Sequence, residues 1–220
     1  MVLISSKSEW RFVKSFYSPA HLPSTPFGEW FSQPIARREV IFCQGGVGKV
    51  SAAASAEHAI QRWQPGVVLN LGTCGGIQGQ IEIGEIVLAQ ATVIYDIYEQ
   101  MGDPAAALNR YAVTFDLSWL PQPLPFPVRP ATLVSADRDL SPGDLPLLRQ
   151  RFNAIAADWE SGAIAWVCQR HHLPCLILRG VTDLVSEQGG QADGNLELYR
   201  SNTPIVMRQL LESLPAWLPG

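Results

Sequence analysis

The chain has 220 residues, of which 47% are hydrophobic and 16% are charged, and its formal net charge at pH 7 is -4. This length suits a single domain spanning residues 1–220, and the composition excludes an intrinsically disordered chain. A slightly acidic chain without long blocks of charge lacks the basic face of nucleic-acid-binding proteins, so no nucleic-acid partner is expected.

No apolar run approaches the roughly 18 residues of a membrane span, and the amino-terminal segment turns polar at Ser5, too early for a signal-peptide core. We therefore expect a cytoplasmic protein with no membrane partner. The four cysteines and four histidines show no metal-ligand spacing, so buried free thiols, no metal site and no cofactor are expected.

The first half of the chain predicts strands and helices in alternation. "MVLIS" reads as a strand, "SEWRFVKSFY" as a helix capped by Ser8, and residues 18–38, with four prolines, as a loop or edge strand. "EVIFCQGG" predicts a strand, and the Ala-rich segment after it predicts a helix that ends before Pro65. "VVLNLG" predicts a buried strand, "GTCGG" a tight turn, and "EIVLAQATVIYD" a further strand.

The second half continues this alternation after a proline-rich insert at 101–130. The segments "PATLVSADRDL", "AIAAD" and "PCLILRGVTD" predict strands, and "SPGDLPLLRQRF" and "ESGAIAWVCQRHH" predict helices. The tail predicts a helix with Asn202 or Thr203 as cap and Pro204 at its start. Together these elements predict a single-domain, three-layer α/β/α fold with a mixed, mainly parallel central sheet.

Polar residues stand where the apolar runs end, which is where α/β sheets bind ligands. Each alone is usually a turn or cap residue, but several such clusters favour a pocket. The clusters are Glu9, Thr73, Ser135 with Asp137, Asp158-Trp159-Glu160, and Arg179 with Thr182 and Asp183.

Four segments in this order carry a family resemblance: "GVGKVSAAAS", "VVLNLGTCGGIQGQIEIGEIVLA", "LVSADRDL" and "ADWESGAIAWVCQRHHLPCLILRGVTD". Over roughly residues 40–185 the chain resembles the nucleoside phosphorylase and nucleosidase superfamily, and within it the methylthioadenosine/S-adenosylhomocysteine nucleosidases. The resemblance implies cleavage of the N-glycosidic bond of a purine nucleoside by a homo-oligomer, a dimer or larger.

The resemblance also implies roles for individual residues. Asp183 matches the general acid to the purine, Glu160 the carboxylate that binds the ribose hydroxyls, and Glu9 the base that activates water. Arg179 would hold Glu9 or the water, and Thr73 would lie by the nucleophile. The remaining substrate-binding positions are Trp159 against the sugar, and Ser135, Asp137 and Leu140 around the base.

Two positions depart from family patterns. Asn70 stands where phosphorylases place a phosphate-binding arginine, which favours water as nucleophile. Asp139 stands where the nucleosidases place an aromatic residue against adenine, which leaves the base open. Three alternatives remain at this point: a purine nucleosidase for methylthioadenosine, adenosylhomocysteine or a related nucleoside such as a futalosine derivative; a phosphorylase; and a non-catalytic nucleoside-binding protein.

Overall fold

The computed structural model describes residues 1–218 as a mixed α/β fold built on a ten-stranded sheet. The strands are β1 (Val2–Ile4), β2 (Trp30–Ile35), β3 (Arg38–Gln44), β4 (Val68–Ile77), β5 (Ile86–Ile94), β6 (Val113–Thr114), β7 (Arg129–Ser135), β8 (Ala154–Asp158), β9 (Cys175–Ser186) and β10 (Gly189–Gly190). The helices are α1 (Lys7–Tyr17), α2 (Lys49–Trp63), α3 (Pro104–Asn109), α4 (Leu145–Phe152), α5 (Ser161–Arg170) and α6 (Leu196–Trp217). The predicted alternation of strands and helices, and with it the mixed α/β class, is confirmed.

Five strands of the sheet close on themselves. β4 pairs with β9, β9 with β5, β5 with β7, β7 with β8, and β8 returns to β4. The pairings β1–β3, β1–β4, β4–β9, β5–β7 and β7–β8 are parallel, while β2–β3, β4–β8, β5–β9, β5–β6 and β9–β10 are antiparallel. The predicted mixed sheet is confirmed, and its two longest pairings, β4–β9 and β5–β7, are parallel; the closed ring does not confirm the predicted three-layer arrangement.

Two apolar clusters hold the helices on the sheet. One joins α2 and α5 to the sheet through small side chains such as Ala52, Ala56 and Ala163. The other joins α1 and α6 to the sheet through larger side chains, including Trp10, Leu210 and Trp217. Burial of apolar area in these clusters supplies the main driving force for the fold and fixes the helix ends that reach the candidate site.

The glycine-rich segment "GTCGG" is strand rather than the tight turn predicted from its composition. It lies inside β4, which pairs with β9 from Val68 to Ile77 and bulges between Cys74 and Gly75. A Cβ on Gly76 would come within 3 Å of the Ile81, Leu184 and Val181 side chains. The glycines therefore serve close packing across the strand rather than a change of chain direction.

Two predicted caps also differ from the structure. Helix α1 is capped by Ser6 instead of Ser8, because the Ser6 hydroxyl accepts from the Glu9 N–H at 3.2 Å. Helix α6 begins at Leu196 with Asn195 as its cap, so Pro204 lies inside the helix and not at its start. Both corrections move helix starts toward the candidate site.

Candidate active site

A cavity of about 700 Å³ lies where the ends of several strands meet. Of the nine residues given roles in the sequence analysis, six line it: Glu9, Thr73, Leu140, Trp159, Glu160 and Asp183. They come from α1, β4, the segment after β7, the β8–α5 connection and β9. The fold thus brings together side chains that are as much as 174 residues apart in sequence, as between Glu9 and Asp183.

Glu9 is buried, and both of its carboxylate oxygens are occupied. One oxygen completes the capping box of α1 by accepting from the Ser6 N–H at 3.0 Å. The other accepts from the backbone N–H of Thr73 at 2.7 Å and from its hydroxyl at 2.8 Å. The contacts with Ser6 and Thr73 therefore hold the Glu9 carboxylate in one orientation where it lines the cavity.

Arg179 lies behind the cavity and is fully buried. Its guanidinium donates to Ser161 Oγ at 2.9 Å and to Asn70 Oδ1 at 2.7 Å, and its Nε lies 2.9 Å from Asp158 Oδ2. Nη2 lies 3.8 Å from Glu160 Oε2. Arg179 thus provides the positive charge that compensates the buried Asp158 and Glu160 carboxyl groups and holds them in position. Arg179 itself does not line the cavity.

Gly72 allows Arg179 and Glu9 to approach each other. A Cβ at this position would lie 2.0 Å from Arg179 Nη1 and 2.8 Å from Glu9 Oε1. No side chain fits in that space, so the glycine in "NLGTCGG" is required by the buried ion network.

Glu160 is buried beside other acidic groups at the start of α5. Burial raises its pKa from 4.5 to about 8; the Asp158 and Glu9 carboxylates add to the rise, and Arg179 opposes it. One carboxyl oxygen accepts from the Gly48 N–H at 3.1 Å. A carboxyl group with this pKa can both donate and accept hydrogen bonds near neutral pH, which suits recognition of vicinal hydroxyls.

Asp183 lines the cavity from β9. Burial raises the pKa of its carboxyl group, the Thr182 hydroxyl that donates to it at 2.7 Å lowers it, and the nearby Asp139 and Asp193 carboxylates raise it further. The net pKa shift is upward, so Asp183 retains a proton to higher pH than an ordinary aspartic acid. A protonated carboxyl group facing a cavity can act as a general acid.

Two residues expected around the base do not line the cavity. Ser135 is fully buried and donates to Asp158 Oδ1 at 2.6 Å, while accepting from the Gly162 N–H at 2.9 Å. Asp137 accepts from the Lys49 N–H at 2.7 Å and so caps the first turn of α2. Both side chains form hydrogen bonds with other protein groups, so they support neighbouring elements instead of a ligand.

Asn70 is also away from the cavity, although its position in a phosphorylase would hold phosphate. It is fully buried; its amide donates to the Leu3 carbonyl at 3.0 Å, and its oxygen accepts from Arg179. Asn70 therefore ties β1 to the buried network.

Sequence reasoning did not assign roles to Asp158, Ser161 or Gly72. Asp158 lines the cavity, accepts from Ser135 and Ser161, and forms an ion pair with Arg179. For Asp158 and Ser161 the sequence offers one indication, the polar segment "DWES" directly after an apolar strand. This segment marks the end of the strand but does not indicate which of its side chains face the cavity.

Among residues 1–218, no group of three or more His, Cys, Asp and Glu side chains could hold a metal ion. The cysteines Cys43, Cys74, Cys168 and Cys175 are buried and unpaired within that range. Within the same range, no helix combines the length and apolar character required to cross a membrane.

Comparison with known proteins gives concordant results. The family model of the phosphorylase superfamily matches residues 16–212. A 5'-methylthioadenosine/S-adenosylhomocysteine nucleosidase of Staphylococcus aureus (strain JH9) is 27% identical over 192 residues, covering 82% of this chain and 83% of that protein.

Two solved structures share the fold. The 5'-methylthioadenosine/S-adenosylhomocysteine nucleosidase of Helicobacter pylori with butyl-thio-DADMe-Immucillin-A superposes with a TM-score of 0.81 at 17% identity, covering 97% of this chain and 96% of that one. The native futalosine hydrolase of Helicobacter pylori strain 26695 superposes with a TM-score of 0.79 at 17% identity, covering 97% and 95%.

Proposed function

Because the chain belongs to the phosphorylase superfamily, we propose that it hydrolyses the N-glycosidic bond of a purine nucleoside, as a nucleosidase of the methylthioadenosine/S-adenosylhomocysteine type. The observation that carries this proposal is the charge of the cavity lining. Six carboxyl groups line it: Glu9, Asp139, Asp158, Glu160, Asp183 and Asp193. Departure of a purine leaves an oxocarbenium-like sugar, and carboxylates stabilise that positive charge.

The same lining favours water over phosphate as the nucleophile. Of the cationic side chains in the described chain, Arg138 alone lines the cavity, and both of its terminal nitrogens bind Asp144, at 2.8 and 2.6 Å. A phosphate dianion would meet repulsion from the ionised carboxylates of this lining and would find no free arginine fork. Water carries no charge and needs only a base.

In the proposed reaction Glu9 is the base. Its carboxylate is held beside Thr73 by the capping box, so it accepts a proton from a water molecule aligned with the anomeric carbon. The proton goes to Glu9, the water oxygen bonds to the anomeric carbon, and the C–N bond breaks. Arg179 acts as a positioning residue that holds the buried carboxylates in place.

Asp183 supplies the proton for the departing base, since its raised pKa keeps a proton available there. Glu160 binds the ribose hydroxyls, and Trp159 and Leu140 supply apolar surface for the sugar and the base. The reaction requires neither metal nor organic cofactor, because proton transfer and charge stabilisation carry it.

The test is release of free purine from a panel of 5'-methylthioadenosine, S-adenosylhomocysteine, futalosine, adenosine and inosine, each with and without inorganic phosphate. We expect base release that does not depend on phosphate, with the free sugar, still carrying any 5' substituent, instead of its 1-phosphate as the second product. Base release that requires phosphate would make the protein a phosphorylase, and no release from any nucleoside would favour a non-catalytic binding protein.

Replacing Asp183 with Asn tests the proposed acid. The amide keeps the shape and the Thr182 contact but has no proton to transfer, so kcat falls roughly 10²–10⁴-fold. Asp116→Asn, on an exposed loop, is the matched control and should retain full activity. Asp183→Asn at wild-type kcat, with circular dichroism showing an intact fold, would refute the acid role.

A single domain, a cytoplasmic location and a homo-oligomer stay part of the proposal. Size-exclusion chromatography with light scattering tests the oligomer: a mass above the 24.1 kDa of one chain supports it.

A further inference from the structure

Three charged side chains from distant parts of the chain meet at the start of α2, and none of them lines the cavity. Lys49 is the first residue of α2, Asp96 follows β5, and Asp137 follows β7. Lys49 Nζ donates to both carboxylate oxygens of Asp96 and lies 3.8 Å from Asp137 Oδ2. The Asp137 N–H donates to Asp96 Oδ2 at 3.0 Å. The Lys49–Asp96–Asp137 cluster therefore joins the segments after β5 and β7 to the start of α2.

Lys49 occupies a position that is unfavourable for a lysine, because the first turn of a helix carries the positive end of the helix dipole. Helix α2 has no acidic residue of its own in that turn, and its N-cap, Gly48, has no side chain to accept a hydrogen bond. The cap comes instead from Asp137, 88 residues later, whose Oδ1 accepts from the Lys49 N–H at 2.7 Å. The contacts of Lys49 therefore fix where α2 begins relative to β5 and β7, rather than favouring the helix itself.

The cluster reaches the candidate active site through one residue, Gly48. The Gly48 N–H donates to Glu160 Oε1 at 3.1 Å, and within residues 1–218 this is the one hydrogen bond of the Glu160 side chain. The other carboxyl oxygen of Glu160 lies 3.8 Å from Arg179 Nη2. Because Gly48 directly precedes Lys49, the place of its N–H depends on the helix start that the cluster holds.

We propose, on the basis of the proposed function, that Lys49, Asp96 and Asp137 are positioning residues for recognition of the ribose. The cluster holds the Gly48 N–H against Glu160, so that the Glu160 carboxyl group meets the 2' and 3' hydroxyls in one orientation. Loss of Lys49 leaves two neighbouring carboxylates without their cation, and loss of Asp137 removes the cap of α2. Either change lets the start of α2 move, and Glu160 then loses its hydrogen bond.

The ionisation of Glu160 reports this loss. Burial raises its pKa to about 8, and the Gly48 N–H opposes the rise. Among the charged groups around it, Arg179 on β9 also lowers the pKa of Glu160, while Asp158 on β8 and Glu9 on α1 raise it. Loss of the Gly48 hydrogen bond should therefore raise the pKa of Glu160 further, by roughly 0.5–1 pH unit.

Urea unfolding between pH 5 and pH 10 measures the ionisation of Glu160 in the folded protein. The difference in unfolding free energy between a protein with Glu160 and its Glu160→Gln counterpart grows with pH. It stops growing once Glu160 is ionised in the folded state, which is near pH 8 for the wild type. With Lys49→Met or Asp137→Ala in both proteins of the pair, we expect this end point to move up by roughly 0.5–1 pH unit.

The two substitutions separate positioning from a direct effect of charge, because they remove charges of opposite sign. Through charge alone, loss of the Lys49 cation would raise the pKa of Glu160, and loss of the Asp137 carboxylate would lower it. A rise in both variants supports the proposal. Shifts of opposite sign, or no shift in either variant, would overturn it.

Matched controls break similar contacts elsewhere. Lys14→Met removes the ion pair of Lys14 with Glu29, whose atoms lie 2.7 Å apart. Asp103→Ala removes a carboxylate that caps α3 by accepting from the Ala105 N–H at 2.8 Å. Both controls should keep the wild-type end point.

The preference for a ribose over a deoxyribose gives a second measurement, made with 5'-methylthioadenosine and its 2'-deoxy analogue. In Lys49→Met and in Asp137→Ala, the ratio of the two kcat/KM values should fall about fivefold, the loss expected for one hydrogen bond. A role in folding alone would change both kcat/KM values together. A wild-type ratio in both variants would overturn the role in ribose recognition.

Failure of the proposed function gives a different result. If the wild type releases no base from either nucleoside, the hydrolase proposal fails, and the unfolding data still decide whether the cluster holds Glu160. Isothermal titration calorimetry with the same two nucleosides then replaces the kinetic ratio. A preference for the 2'-hydroxyl that is lost in both variants supports the positioning role, and an unchanged ratio of Kd values rejects it.

Discussion

Replacing Glu160 with Gln should stabilise the protein at alkaline pH much more than at acidic pH. The amide oxygen can still accept from the Gly48 N–H, which binds Glu160 at 3.1 Å, so the substitution mainly removes a buried ionisable group. In the unfolded chain this carboxyl group ionises near pH 4.5, whereas in the folded protein it holds its proton to about pH 8. The folded state therefore binds more protons in this window, and the wild type loses stability as the pH rises from 4.5 to 8.

The magnitude follows from these two pKa values. Each pH unit in which only the unfolded chain is ionised costs about 1.4 kcal/mol of unfolding free energy. Between pH 5 and pH 8 the stability gained by Glu160→Gln over the wild type should therefore grow by about 3 kcal/mol. Because Glu160 is only 7% exposed, solvent screening reduces this figure little.

Urea unfolding of both proteins at pH 5 and pH 8 measures this difference. Glu187→Gln is the control, because the Glu187 side chain is 78% exposed and its substitution should shift stability equally at both pH values. A Glu160→Gln gain that is the same at pH 5 and pH 8 would refute the raised pKa, and with it the account of Glu160 as a group protonated at neutral pH.

Four other substitutions test the buried network and the acid. Arg179→Met leaves carboxylates buried without their cation and should lower the unfolding free energy by about 3–5 kcal/mol, seen in urea titrations. Gly72→Ala places a methyl group 2.0 Å from a guanidinium nitrogen and should cost about 1–3 kcal/mol in the same assay. Asp139→Asn and Asp193→Asn remove like charges that raise the pKa of Asp183, so the alkaline fall of kcat/KM should move to lower pH.

Each of these has a matched control. Arg151→Met and Gly66→Ala change the same residue types at an exposed and at an open position, and should leave stability within about 0.5 kcal/mol. Asp116→Asn removes an acidic charge away from the cavity and should leave the pH profile in place. A pH profile that is unchanged in both Asp139→Asn and Asp193→Asn would contradict electrostatic control of Asp183.

The sequence alone determined the order of the elements and the family. Continuous apolar runs bounded by Gly, Pro and polar residues predict buried strands, and the segments rich in small residues between them predict helices, although the caps predicted for α1 and α6 were wrong. Motifs at strand ends were enough to single out Glu9, Glu160 and Asp183, because the carboxyl ends of parallel strands converge at one edge of a sheet.

Only the tertiary structure decided which polar side chains face the cavity and which support it. Ser135 ends β7, and Asp137 and Leu140 follow it, yet Ser135 binds Asp158 and Asp137 caps α2, since their partners come from distant parts of the chain. Gly72 reads locally as a turn residue, but it lies in β4, and glycine is needed there because the Arg179 guanidinium, 107 residues later, occupies the space a Cβ would fill. The pattern of apolar and polar residues along the chain indicates which positions are buried. The direction of a polar side chain, in contrast, depends on the hydrogen-bond donor or acceptor that folding places next to it.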